Sequence, residues 1–152
     1  MRKTMTAFPM IAAFALSLLS TAPSLAEDAA AEIENTLTRW MADFNAGNTE
    51  RICDLFATDV RADFWGHPTR DHQAVCDLLT KSLTDPSRVY RYALDIREIL
   101  AFGDVAVVRL VWTLTIKDKD GGVIKSVEPG MDVFQRQADG SWKIVRYMAY
   151  EE

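Results

Sequence analysis

The spacing of hydrophobic positions changes once along this chain. From Ala31 to Asn45, Ile33, Leu37, Trp40 or Met41, and Phe44 recur at helical spacing and make one apolar face, which predicts a helix. Asn45-Ala46-Gly47-Asn48 ends it, with Gly47 suited to a left-handed cap. Asn48 or Thr49 is placed to cap a second, short helix to about Ala57. Its inner side would carry Ile52, Leu55 and Phe56, with Cys53 at the edge. Asp59 to Trp65 reads as a strand closed by Gly66-His67-Pro68. Asp71 then caps a third helix to about Thr84, with Val75, Cys76, Leu79 and Leu83 inward.

After Asp85-Pro86-Ser87 the period becomes two. Tyr90, Tyr92, Leu94 and Ile96 alternate with Arg91, Ala93, Asp95 and Arg97. Gly103-Asp104 is a turn, and Ala106 to Ile116 is a long β-branched run containing Trp112. Val123 to Arg136 is the next strand, where Pro129-Gly130 predicts an edge position or a bulge. Asp139-Gly140 between alternating runs is a strong hairpin signal, and Trp142 to Tyr150 closes the chain. Helices first and an antiparallel meander after them predict an α+β fold. The expected form is a cone-shaped α+β barrel, three N-terminal helices packed on a strongly curved antiparallel sheet. A pocket between helices and sheet is where a small ligand would sit.

The N-terminus changes the picture of where such a domain works. Arg2 and Lys3 precede an apolar run, Phe8 to Leu19, and Ser24-Leu25-Ala26 offers small residues at a cleavage site. This is the layout of a secretory signal peptide over residues 1–26, followed by one domain over 27–152 and a periplasmic or secreted location. The run is short for a bilayer span. Removing Arg2 and Lys3 from the 17 basic residues leaves 15 against 22 acidic ones, a net charge of −7. Such a balance disfavours nucleic acid and anionic lipid as partners. No membrane association is expected once the signal is cleaved. Cys53 and Cys76 are the only cysteines. In an exported chain the pair points to a disulfide, with two buried free thiols as the other reading. No Cys/His cluster completes a zinc shell, so neither metal nor cofactor is expected.

Four segments carry a likeness: Trp40-Met41-Ala42-Asp43-Phe44-Asn45-Ala46-Gly47-Asn48; Leu55-Phe56-Ala57-Thr58-Asp59-Val60; Gly103-Asp104-Val105-Ala106; and Asp132-Val133-Phe134 with Asp139-Gly140-Ser141-Trp142-Lys143-Ile144. With the order of elements, they resemble the SnoaL-like branch of the nuclear transport factor 2-like superfamily. That fold hosts isomerases, dehydratases, cyclases, hydrolases and non-catalytic modules, so the likeness implies a fold more than an activity. Within it, the ketosteroid isomerase pattern places a general base at Asp63, three residues before Gly66. It places a neutral, hydrogen-bond-donating acid at Asp132. It puts Trp40 where those enzymes have a tyrosine, and an indole donates a single hydrogen bond.

The resemblance therefore implies a catalytic pair, Asp63 ionised and Asp132 protonated, in a dry pocket. The competing reading has Asp63 solvated and Asp132 paired with a cation. Hairpin register separates the two: Asp132 opposite Tyr147 faces the pocket beside a phenol, whereas opposite Arg146 it is ionised. The isomerase-like spacing implies Tyr147. Trp40, Trp65, Tyr92, Trp112, Phe134 and Tyr147 are the candidate ligand-binding residues. His67 and His72 read as loop and helix-start residues facing water. The expected function is binding a small apolar molecule, with proton transfer by Asp63 and Asp132 added if the domain is an enzyme. The alternative is a non-catalytic module that homodimerises through the outer face of the sheet.

Overall fold

The computed structural model describes residues 25–152. The expected signal peptide lies outside them, apart from Leu25 and Ala26. The first helix, α1 (Leu25–Asn45), is longer than the sequence pattern predicts. Its apolar stripe starts earlier, at Ala29, and continues through Ile33, Leu37, Trp40 and Phe44, all buried. Glu27 and Asp28 sit in its first turn, where the helix dipole favours negative charge. At its end Gly47 has φ 76°. The Gly47 N–H donates to the Phe44 carbonyl and the Asn48 N–H to the Asp43 carbonyl. Those two bonds make a Schellman cap, and the positive φ is why a glycine stands there.

The expected second helix is absent: residues 49–55 are turns, so the described residues contain two helices rather than three. The Asp54 and Phe56 N–H groups each reach back three residues, to the Arg51 and Cys53 carbonyls. No run of four-residue bonds develops, because this segment's polar groups are committed elsewhere. The Ile52 carbonyl takes the Trp40 indole N–H at 2.8 Å. Cys53 is held in a disulfide to Cys76, with Cα atoms 5.6 Å apart. The second helix of the fold is α2 (His72–Thr84). Asp71 caps it as expected, accepting from the Ala74 N–H at 3.0 Å.

Five strands follow the order β1-β5-β4-β3-β2 in one sheet. They are β1 (Phe56–Phe64), β2 (Arg88–Phe102), β3 (Val105–Asp118), β4 (Val123–Arg136) and β5 (Trp142–Ala149). All neighbours are antiparallel except β1 and β5, which run parallel. The sheet's inner face and the two helices bury Ile33, Leu37, Phe44, Val60, Leu110 and Phe134 between them.

Pro129-Gly130 does not mark an edge, since β4 lies between β5 and β3. The ladder to β5 begins only at Gly130 opposite Ala149, and the Pro129 carbonyl accepts from the Tyr150 N–H. The missing proline donor thus falls where that ladder ends, which makes an interior proline tolerable. The register of the last hairpin is the one the isomerase-like spacing implies: Asp132 lies opposite Tyr147. The route differs from a two-residue turn. Arg136 pairs with Trp142, residues 137–141 make a longer turn, and the register shifts after Phe134–Ile144. Val145 is the extra residue, and Ile144 and Val145 are both buried, the mark of a bulge.

Candidate functional site

A cavity of about 520 Å³ opens between the helices and the inner face of the sheet. Aromatic rings form a large part of its walls. Trp40 and Phe44 come from α1, Tyr92 from β2 and Trp112 from β3. Ring centroids of Trp40 and Trp112 lie 5.3 Å apart, and those of Tyr92 and Trp112 lie 5.4 Å apart. Such tilted and edge-on contacts give aromatic rings specific geometry as well as buried area. Asn45 fixes Tyr92. Its amide donates to the Tyr92 carbonyl and accepts from the Tyr92 N–H, both at 2.8 Å.

Asp132 lines this cavity, 1% exposed, and neither of its carboxyl oxygens has a hydrogen-bond partner. A buried polar group without a partner costs stability unless something else satisfies it. Burial pushes the Asp132 carboxyl up to about 8. It therefore carries its proton near neutral pH and can donate. Tyr147 stands opposite on β5. Burial is the main cause that pushes its hydroxyl up, followed by the charges of Asp132 and Glu128, while Arg70 acts the other way. Glu128 is four residues from Asp132 on β4, so period two puts both on one face. Burial raises the Glu128 carboxyl and a 3.0 Å bond from the Ser126 hydroxyl opposes that shift. Tyr92 is raised by burial and then by Glu128 and Tyr147.

Of the candidate ligand-binding residues, Trp40, Tyr92, Trp112 and Tyr147 line the cavity. The Trp40 indole N–H is spent on Ile52, so this ring contributes surface and no donor. Three expectations are corrected. Asp63 is exposed, outside the cavity, and accepts from the Thr69 hydroxyl. Its neighbour Ala62 faces inward at 1% exposure, and alternation along β1 sends Asp63 to the other side. Trp65 is 85% exposed, in the turn after β1. Phe134 is fully buried in the core rather than on the cavity wall.

The sequence reading missed Glu128, Arg70 and Lys81, which all line the cavity. For Glu128 the signal was available, since it shares the strand phase of Asp132. His67 also lines the cavity, its ring 5.6 Å from that of Phe64. Arg109 is on the outer face, paired with Glu98. No group of three or more His, Cys, Asp or Glu among the described residues is arranged to hold a metal. A second depression, about 690 Å³, lies between α1 and the β4–β5 turn. It is lined by charges of both signs, including the Arg51–Asp43 pair, and holds no buried unpaired group. Asp132 makes the aromatic cavity the stronger site.

The fold has many solved counterparts. A conserved protein from Planctomyces limnophilus superposes with a TM-score of 0.72 at 16% identity, over 82% of this chain and 97% of that one. A ketosteroid isomerase-like protein from Erwinia carotovora atroseptica gives 0.66 at 20% identity, over 80% and 94%. A nuclear transport factor 2-like protein with a cystatin-like fold from Novosphingobium aromaticivorans gives 0.67 at 19% identity, over 82% of each chain. At such identities the likeness is one of fold. No curated protein sequence matches significantly. The profile of the SnoaL-like domain, however, matches residues 37–147. By that match, which takes in both helices and all five strands in whole or in part, the chain belongs to the SnoaL-like domain family.

Proposed function

We propose that this protein binds a small, largely apolar molecule that presents one hydrogen-bond acceptor to Asp132. The observation that carries the reading is the Asp132 carboxyl, buried and unpaired in an aromatic cavity. A ligand acceptor would satisfy the group that the protein leaves open, and the rings of Trp40, Tyr92 and Trp112 would cover the apolar body. The volume lies within the range of about 300–1,000 Å³ that suits small ligands. The Cys53–Cys76 disulfide supports work in an oxidising compartment, periplasmic or extracellular.

A thermal-shift screen of apolar carbonyl compounds tests this reading in three forms of the protein. Hits on the wild type should survive in Asp132→Asn, whose amide still donates, and disappear in Asp132→Leu. Hits that survive in Asp132→Leu would refute the role of Asp132.

The second reading is catalysis by proton transfer, as in isomerases or dehydratases. It is favoured by the placing of Glu128 and Asp132 on one face of β4 within one cavity. With Asp63 outside, Glu128 is the carboxylate left to act as base, while Asp132 and Tyr147 donate to a developing oxyanion. Turnover of any binding hit that stops in Glu128→Gln, with binding kept, would favour it. A homodimer through the outer sheet face is compatible with either reading. Leu100, Phe102, Met131 and Met148 are exposed there. Light scattering on the purified protein decides it by mass.

A further inference from the structure

Two cations of the cavity, Arg70 and Lys81, stand outside the ion pairs of the described residues. The chain as a whole carries −5. Yet Arg70, Lys81 and Arg88 all line the cavity. Three acids, Asp85, Glu128 and Asp132, line it as well. Asp132 is held towards its neutral form by burial. Asp85 is occupied by Ser87 and Tyr90. Arg88 is bound to Asp118 at 2.8 Å.

Arg70 is also in register with the polar groups of the site. It forms an antiparallel bridge with Ala62, Ala62 pairs with Tyr147, and Tyr147 pairs with Asp132. Residues paired across strands share a face. A guanidinium, the small methyl of Ala62, a phenol and a carboxyl therefore follow one another along a single cross-sheet row, facing aromatic walls. A guanidinium offers a planar fork that matches a carboxylate, and a phenol adds a third donor. A neutral ligand in the cavity would give Arg70 no counter-charge, whereas an anion would.

We infer that the ligand is an amphipathic anion: an apolar body lying between the aromatic walls and ending in a carboxylate that accepts from Asp132 and is held by Tyr147 and Arg70. The inference rests on the cavity-binding reading above and names the ligand's chemical class. Association should also weaken with added salt, because the charge of the row steers the anion.

Matched probes test it: naphthalene-2-carboxylate against naphthalene-2-carboxamide, and decanoate against decanamide. Binding is read by calorimetry and by quenching of the tryptophans, two of which line the cavity. The expected result is a preference for each carboxylate over its amide on the order of tenfold or more, as for hydrogen bonds to a charged group. Arg70→Gln should abolish the preference, and Arg70→Lys should restore part of it. Equal affinity for acid and amide overturns the anion inference and leaves the cavity reading standing. A preference lost in Lys81→Gln but kept in Arg70→Gln overturns the assignment to Arg70. Failure of all four probes to bind counts against both readings.

Discussion

Asp132 on β4 lies directly across from Tyr147 on β5, and both line the cavity. Around them are Glu128, Tyr92 and Arg70. Burial lifts Asp132 from an ordinary 3.8 to about 8. Between those values the folded protein keeps a proton that the unfolded chain has released. Stability from this group is thus fully present below about pH 3.8 and falls as pH rises towards 8. The loss is on the order of a few kcal/mol. Asp132→Asn has no such proton, so its stability should change less over this range. Urea unfolding of both proteins at pH 5 and pH 8 reads the difference directly. Glu128 shifts in the same direction in both and cancels in the comparison. Parallel losses in the two proteins would contradict the assignment.

The pairing of Asp132 with Tyr147 was legible in the sequence because a carboxylate amid apolar alternation stands out, and because the phase of β4 is regular. The path to it was not. A two-residue turn gives the same partner as a longer turn followed by a bulge at Val145, and no local signal separates them. The missing helix has a similar cause. Ile52, Leu55 and Phe56 fit one turn of helix or a chain of tight turns equally well over so few residues. The Trp40–Ile52 hydrogen bond that decides the matter is long-range. Asp63 was misplaced because the phase of a strand cannot be read where its alternation is broken, and the β1–β5 register shifts between Phe56 and Arg61. Arg70 reaches the site only through its bridge to Ala62, a relation that no spacing records.

Asn45 closes two hydrogen bonds onto the backbone of Tyr92, at the end of α1. Asn45→Ala should cost about 1–3 kcal/mol by removing both bonds. It should also weaken ligand binding, since the Tyr92 ring loses its anchor. Asn45→Asp keeps the acceptor for the Tyr92 N–H but sets a carboxylate oxygen against the Tyr92 carbonyl oxygen, and that repulsion should also destabilise the protein. Chemical unfolding with ligand titration on each variant checks both effects. Unchanged stability in Asn45→Ala would show that water replaces the side chain.

Cys53 and Cys76 close a loop with a sequence separation of 23. Breaking the bridge should lower stability by about 2–4 kcal/mol. The double variant Cys53→Ser, Cys76→Ser should therefore melt well below the wild type. Reductant should move the wild type towards the variant and leave the variant unchanged. Titration of the unfolded, unreduced protein should find no free thiol. Two free thiols would remove the disulfide from the account.

Gly130 lies between Glu128 and Asp132 on the inner face of β4. A Cβ there would come within 3.2 Å of the Met148 carbonyl oxygen and 3.4 Å of the Ala149 Cβ. The carbonyl belongs to the paired strand β5 and has little room to retreat. Gly130→Ala should destabilise the protein by about 1–2 kcal/mol through overpacking. Thermal unfolding reads it, and an increase in melting temperature would show that β5 yields.

The parallel pairing of β1 with β5 has a consequence for how the chain reaches this shape. Residues 142–149 separate the first strand from the other three, so no shorter N-terminal piece assembles the sheet. Contacts such as Ala62 with Tyr147 join positions far apart in sequence, and such closures are slow. A polypeptide cut just before Trp142 should remain uncollapsed around its hairpins, open to proteases, until the missing segment is supplied.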